Sequence, residues 1–248
     1  MGFRHGRYGS YFSVALGNYD DIYTLIRQRY ARAGKSKMRN VVSLNENTIS
    51  DIGHTFGYYD YGAEHGLIDA FPSREAVASF ICGYAKMALQ SGMLYATSEV
   101  GEGFIAFKLP GQKVGLKAAL PLVKGFLGAM KIKEIVRFMR IMSKGGSGLG
   151  KQLDKAKKPY IYVGLVCVRE QYQGQGHMRK AMDMAFSEGN RLGVPVILDT
   201  DAKSKCDKYI HLGMELAGTR RFGEYDVLYD LIKYPDRSDS EEKRRIAK

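Results

Sequence analysis

Cysteine is scarce. The chain has three, Cys82, Cys167 and Cys206, an odd number, far apart and without a CxxC pair. That excludes a disulfide framework and a cysteine zinc site, and it fits a reducing cytoplasm. Proline is scarce as well, six residues against 29 glycines, in an otherwise ordinary globular composition. Collagen, a repeat array and disorder throughout are excluded. Long apolar runs are missing: no window of about twenty residues is free of charge, which excludes a membrane-spanning helix and stable membrane insertion. Behind Arg4 and Arg7 follows just the short run Tyr11–Gly17, too short and too polar for a secretory leader. The five histidines form no HxxxH pair, so no metal is expected.

What is present is length and positive charge. A chain of 248 residues can bury a sizeable core, as one large domain or two small ones. The net charge is +12 and unevenly placed. Residues 1–40 hold eight basic side chains against Asp20 and Asp21, and residues 111–158 hold twelve against Glu134 and Asp154. Such charge suits nucleic acid, an anionic membrane or a phosphorylated cofactor. No aromatic RNA-binding signature accompanies it, so it reads as solvated surface and no nucleic-acid partner is expected.

The pattern along the chain predicts an N-terminal extension over 1–37, a main domain over 38–235 with a helical insertion at about 111–158, and a charged tail over 236–248. Within the extension, Asp20–Arg32 has helical spacing, and Met38 is a candidate internal start. Val41–Leu44 reads as a short strand, and Thr48–Phe56 and Arg74–Gln90 as helices, the second starting at Ser73 and stopping at Gly92. Leu94–Ser98 and Phe104–Phe107 form a hairpin pattern. In the insertion, Leu116, Leu120, Val123, Leu127, Met130, Ile135, Phe138, Met139 and Met142 fall at helical spacing, and Pro121 and Gly125 predict two short helices. That basic, amphipathic segment reads as an insertion packed by its apolar face; covering an active site, touching a membrane surface or gripping an acyl chain are the other readings. Then come a strand over Tyr160–Val168, a helix with Met178, Met182, Ala185 and Phe186 on one face, and a strand over Val194–Leu198. A helix over Lys205–Leu212 follows, with Ser204 and Asp207 as a capping box, and a final strand over Tyr225–Lys233.

The order strand, glycine-rich turn, helix, strand, helix over 160–213 carries the chemistry. Glycines let a backbone approach a ligand closely. A helix beginning directly after them points unpaired N–H groups and its positive end at whatever sits there, which favours a phosphate. Taken alone, Gly174 and Gly176 also fit a plain chain reversal. A second glycine cluster, Gly145–Lys151, nearly spells a P-loop. It lacks the Ser or Thr after the lysine, where Gln152 stands, and it does not follow a strand, so it reads as a linker.

Residues 166–176, Val-Cys-Val-Arg-Glu-Gln-Tyr-Gln-Gly-Gln-Gly, resemble the acetyl-CoA signature of the GNAT acetyltransferase superfamily, (Gln/Arg)-x-x-Gly-x-(Gly/Ala) after a hydrophobic strand. Gln173 and Gly176 match, and Met178 stands where Gly or Ala is usual. An overlapping register, Gln171, Gly174 and Gly176, also satisfies the pattern but places strand and helix less well. Downstream, Lys208–Met214 resembles the family's helix ending in Tyr-x-x-x-Gly-Phe, with Met214 for Phe. The resemblance implies a mixed α/β fold: a largely antiparallel central sheet with splayed strands, flanked by helices. It implies acetyl-CoA as cosubstrate, with pantetheine beside Val166, Cys167 and Val168. The diphosphate would meet Gln173, Gly174, Gln175, Gly176, His177, Met178, Arg179 and Lys180. Tyr209 is implied as general acid, and Glu170 and Glu99 are the candidates for the base. The acceptor would be a primary amine, of a small molecule first, with a protein lysine or N-terminus next. A non-catalytic acyl-CoA-binding module is the rival, and a homodimer is compatible with all three. Cys167, in a strand, reads as a packed thiol. Phe56, Tyr58, Tyr59, Asp60, Tyr61 and Glu64 read either as the border of a cationic amine's pocket or as an ordinary aromatic loop.

Overall fold

The computed structural model describes residues 40–136, 148–221 and 227–236. The expected extension over 1–37 and the tail beyond 236 lie outside the described residues, as does most of the predicted second insertion helix.

Helices α1 (Glu46–Gly57) and α2 (Arg74–Gln90) come first. Their starts are fixed by side chains: Asn45 accepts the Thr48 amide at 2.7 Å and Ser73 the Ala76 amide at 3.2 Å. Such a cap contributes about 1 kcal/mol. Gly92, with φ +64°, ends α2 where the sequence places the stop. Strands β1 (Leu94–Ala96) and β2 (Gly103–Lys108) make the expected hairpin. Helices α3 (Leu116–Ala129) and α4 (Leu149–Lys155) precede β3 (Ile161–Val168). Then follow α5 (His177–Leu192), β4 (Val196–Thr200), α6 (Lys203–His211), β5 (Glu215–Arg221) and β6 (Val227–Lys233). The sheet runs β1-β2-β3-β4-β6-β5. Every pairing is antiparallel except β3 with β4, so the mixed, largely antiparallel sheet expected from the sequence is the one observed.

Two cores sandwich the sheet. One joins α1, α2 and α3 to Phe104, Ala106, Leu165 and Cys167. The other joins α5 to Ile105, Phe107, Ile161 and Val163. In a regular strand 161, 163, 165 and 167 would all face one side. They do not, because the β2–β3 register slips between Ala106 and Phe107, leaving Gly164 opposite no residue of β2. One extra residue flips the faces beyond it. The run 160–168 is apolar throughout because a core covers each face of the sheet. Position 164 needs glycine for space: a Cβ there would lie 1.9 Å from the hydroxyl of Tyr84 on α2.

Several local expectations are corrected. Segment 41–44 is not a strand: Asn40 makes a single bridge to Tyr95 and the Val41 amide donates to the Leu94 carbonyl. Pro121 and Gly125 do not break α3, which ends at Met130 instead. Gly125 is a contact point, since a Cβ there would sit 3.2 Å from the Cα of Gly83 on α2. Close packing on α2 holds the helix through its proline, overriding local propensity. Ser204 and Asp207 form no capping box. The N-cap of α6 is Ala202, Glu64 accepts the Ser204 amide from across the chain, and Asp207 pairs with Lys203. Segment 215–221 carries no strand pattern, yet it forms the edge strand β5.

Candidate active site

β3 and β4 pair at two positions, Ile161 with Val196 and Tyr162 with Ile197. Beyond them the strands part. A polar knot sits at the fork. The Tyr162 hydroxyl donates to Asp199 Oδ1 at 2.7 Å, and Arg220 of β5 donates to Asp199 Oδ2 and to both oxygens of Asp230 on β6, each at 2.9 Å. Burial alone would lower the Arg220 guanidinium; its bonds to Asp230 and the two carboxylate charges raise it instead. The knot ties β4 to β3 through Tyr162 and to β5 and β6 through Arg220 and Asp230. Removing one partner of such a buried set costs about 3–5 kcal/mol.

A cavity of about 650 Å³ fills the fork. One end lies against the glycine turn. Gly174 and Gly176 have φ of +74° and +78°, and a Cβ on either meets no atom within 4 Å. The demand for glycine is therefore conformational, and the space beside it is open. Helix α5 starts at His177 with no side-chain cap, so its first amides await an acceptor. The His177 imidazole is buried, with Nδ1 lacking a hydrogen-bond partner among the described residues. Gln173 donates to the Val168 carbonyl at 3.2 Å and Gln175 to the Gln171 carbonyl at 3.2 Å, so both glutamines brace the turn.

Of the residues nominated for a cofactor, Val166, Cys167, Val168, Gln173, Gly174, Gly176, His177 and Met178 line the cavity. Gln175, Arg179 and Lys180 are exposed and stand outside the lining. Met178 does not disturb the helix start; its side chain is half-buried on the wall. Burial pushes the Cys167 thiol up to about 12, which leaves it a packed thiol.

Tyr209 lines the same cavity from α6. Burial first, then the charge of Asp201, holds its phenol well above the ordinary tyrosine range, so it stays protonated. Glu170 lies exposed in the short turn after β3 and Glu99 at the exposed tip of the β1–β2 hairpin; neither lines the cavity.

The other end is walled by the loop 58–70, α2 and α3. Asp201, at the end of β4, organises it. Asp201 Oδ2 accepts from the Tyr61 hydroxyl (2.6 Å) and the Leu67 amide (2.7 Å), and Oδ1 accepts from Lys205 (2.9 Å). Burial pushes Asp201 up, but Lys205 and these bonds outweigh it and the carboxyl ends below its ordinary value. Lys205 also stands 4.4 Å over the Tyr59 ring and 4.3 Å over the Tyr61 ring. The aromatic faces thus already hold a lysine of this chain. Tyr58 donates to Glu75, Asp60 accepts its own loop's Gly62 amide, and Glu64 caps α6. From the aromatic and acidic cluster, Phe56 and Tyr59 reach the cavity. His65 lines it too, its Nδ1 3.2 Å from Asp69 Oδ2. Asp201 carries no local sequence signal, because Tyr61 and Leu67, which bond it, lie far away in the chain; His65 with Asp69 and Lys205 with Asp201 are local pairs, four residues apart, that the sequence reading did not single out.

No family model and no curated protein sequence matches the chain. Solved structures do. Arylalkylamine N-acetyltransferase 2 from Aedes aegypti is similar at 13% identity, over 78% of this chain and 97% of that one, with a TM-score of 0.47. The polyamine N-acetyltransferase of Drosophila melanogaster is similar at 15% identity, over 78% and 99%, with a TM-score of 0.47. A histone acetyltransferase HPA2 and related acetyltransferase from Corynebacterium glutamicum is similar at 11% identity, over 80% and 97%, with a TM-score of 0.46. The functional reading rests on the site itself.

Proposed function

We propose that the chain is a GNAT-type N-acetyltransferase that moves an acetyl group from acetyl-CoA to a primary amine by direct attack in a ternary complex. The observation that carries this is one conjunction at the fork. Two strands part after two pairs, a glycine turn and an uncapped helix start stand at the mouth of the gap, and a protonated Tyr209 lines the same cavity. The amides of the turn suit a diphosphate, and the flank of β3 at Val166–Val168 suits the pantetheine arm.

In this reading the neutral amine forms the new C–N bond as the C–S bond breaks. Tyr209 gives its proton to the departing thiolate. The proton shed by the amine goes to His65, which Asp69 orients and which lies on the cavity wall, unlike Glu99 and Glu170. The far end of the cavity is lined by Phe56, Leu67, Phe80, Ile81 and Phe126. Walls of that kind favour a small amine with an apolar body over a protein lysine or N-terminus.

Calorimetric titration with acetyl-CoA, and with adenosine diphosphate as control, tests the reading. Saturable 1:1 binding of acetyl-CoA, well above that of the control, is expected, and coenzyme A release can then be screened against amines. Folded protein that binds no acetyl-CoA would overturn it.

A further inference from the structure

Helix α3 turns apolar side chains outward. Leu116 (84% exposed), Leu120 (54%), Val123 (38%) and Leu127 (57%) stand in solvent, while the buried positions are Gly125, Phe126 and Ala129. The predicted apolar face is therefore not the packed one. At 3.6 residues per turn the four exposed side chains fall within an arc of about 60°, a continuous ridge. Beyond the helix, Ile132 (70%) and Val136 (52%) are exposed as well. Exposed lysines accompany the ridge: Lys117 and Lys124 along one flank, Lys131 and Lys133 past its end. From Gly103 to Lys133 the chain carries six lysines and no acidic residue. A contiguous apolar patch rimmed by charge of one sign marks an interaction site.

The chemistry selects the occupant. A second copy would set Lys117 and Lys124 against the same lysines across a two-fold seam, and like charge opposes that pairing. A partner helix needs a groove to lie in, and side chains that stand so far into solvent form a ridge. An anionic bilayer meets both conditions. The apolar side chains sink among acyl chains while the lysine stems reach lipid phosphates. We propose that α3 docks this protein onto an anionic lipid surface, lying in its plane with Leu116, Leu120, Val123 and Leu127 inserted. Phe126, on another side of the same helix, walls the apolar end of the cavity, so docking brings that end close to the lipid boundary. The docking is independent of the acetyl-transfer reading.

Co-sedimentation of the full chain with vesicles tests it. Vesicles of phosphatidylcholine plus phosphatidylglycerol should pellet the protein, and vesicles of phosphatidylcholine alone should not. Added salt should weaken the binding. The double variant Leu120→Glu, Leu127→Glu should bind about tenfold more weakly or worse. Val42→Glu, at a residue 91% exposed elsewhere, should bind as the parent does. Should the double variant melt lower than the parent, Lys117→Gln with Lys124→Gln replaces it, and the same loss is expected. No pelleting with anionic vesicles, equal pelleting with neutral ones, or undiminished binding by the ridge variants would overturn the proposal. So would a dimer in sedimentation velocity that the double variant abolishes, since the ridge would then belong to a second copy.

Discussion

The two ends of the cavity are built by different means. The turn end is backbone: two left-handed glycines, an uncapped helix start, and two glutamines that bond carbonyls four and five residues away. The other end, which the proposed function gives to the acceptor, is built from groups brought from afar: Leu67 and Asp201 are 134 residues apart, Tyr61 and Asp201 140, Tyr59 and Lys208 149. A backbone cradle tolerates change in its side chains, provided the glycines remain. A side-chain wall ties its shape to ion pairs, which single substitutions can undo.

Tyr209 separates catalysis from binding, and it carries the largest expected effect. Tyr209→Phe keeps the ring and removes the proton. Turnover should fall by about 10²-fold or more, with the dissociation constant for acetyl-CoA unchanged by calorimetry. Unchanged turnover would remove Tyr209 from the acid's role. Binding of acetyl-CoA with no turnover by either protein, across an amine panel, would favour a non-catalytic binding module.

Asp201→Asn attacks the end away from the glycine turn, and it also removes a charge that helps hold the Tyr209 phenol up. It removes the charge that holds Lys205 and weakens the acceptor for Tyr61 and Leu67. Both charged partners are largely buried, so the loss of folding stability should be about 3 kcal/mol, readable by chemical denaturation. KM for the amine should rise while acetyl-CoA still binds. Loss of acetyl-CoA binding in a folded variant would show that the two ends are not separable.

The mirror experiment is Gly176→Ala, with a smaller effect. The added Cβ meets no atom of the protein, so the cost is the left-handed backbone alone, about 1–2 kcal/mol, and crowding of the cradle. Acetyl-CoA should bind about tenfold more weakly, with KM for the amine little changed. A large fall in stability with normal cofactor affinity would make Gly176 a folding residue and nothing more.

This contrast also sets what the sequence could tell. The glycine turn was legible because a turn, a helix start and a strand end are local and leave a spacing, Gln173 to Gly176, that one can read. Ser73, Gly92 and the hairpin were legible for the same reason. The acceptor end was not, since nothing near Asp201 names Tyr61 or Leu67 as its partners. The need for glycine at 164 was hidden because the neighbour a Cβ would meet, the Tyr84 hydroxyl, comes from a helix 80 residues earlier in the chain. Pro121 misled because packing on Gly83 decides the course of α3. The ridge on α3 misled in the opposite sense: helical spacing finds an apolar face, and it cannot say whether the protein buries it.

Alkaline pH sharpens the comparison by a gentler route. Tyr61, Tyr84 and Tyr209 all belong to the acceptor end or the fork, and each is raised above the ordinary tyrosine value near 10, by burial first. Tyr95, in the core below, is pushed up to about 12 by the same cause. The unfolded chain releases these protons near pH 10, whereas the folded protein keeps them. Above pH 10 the unfolded state therefore binds fewer protons, and folding stability declines as pH rises, by about 1 kcal/mol per tyrosine per pH unit. Below pH 10 these groups leave stability flat. Denaturation at stepped pH, with tyrosinate absorbance followed alongside, should show the decline starting near 10. Hydrogen exchange should show loop 58–70 opening before the turn at 173–177. If the turn opens first, the acceptor wall is not the weaker end, and the division of the cavity drawn from its construction fails.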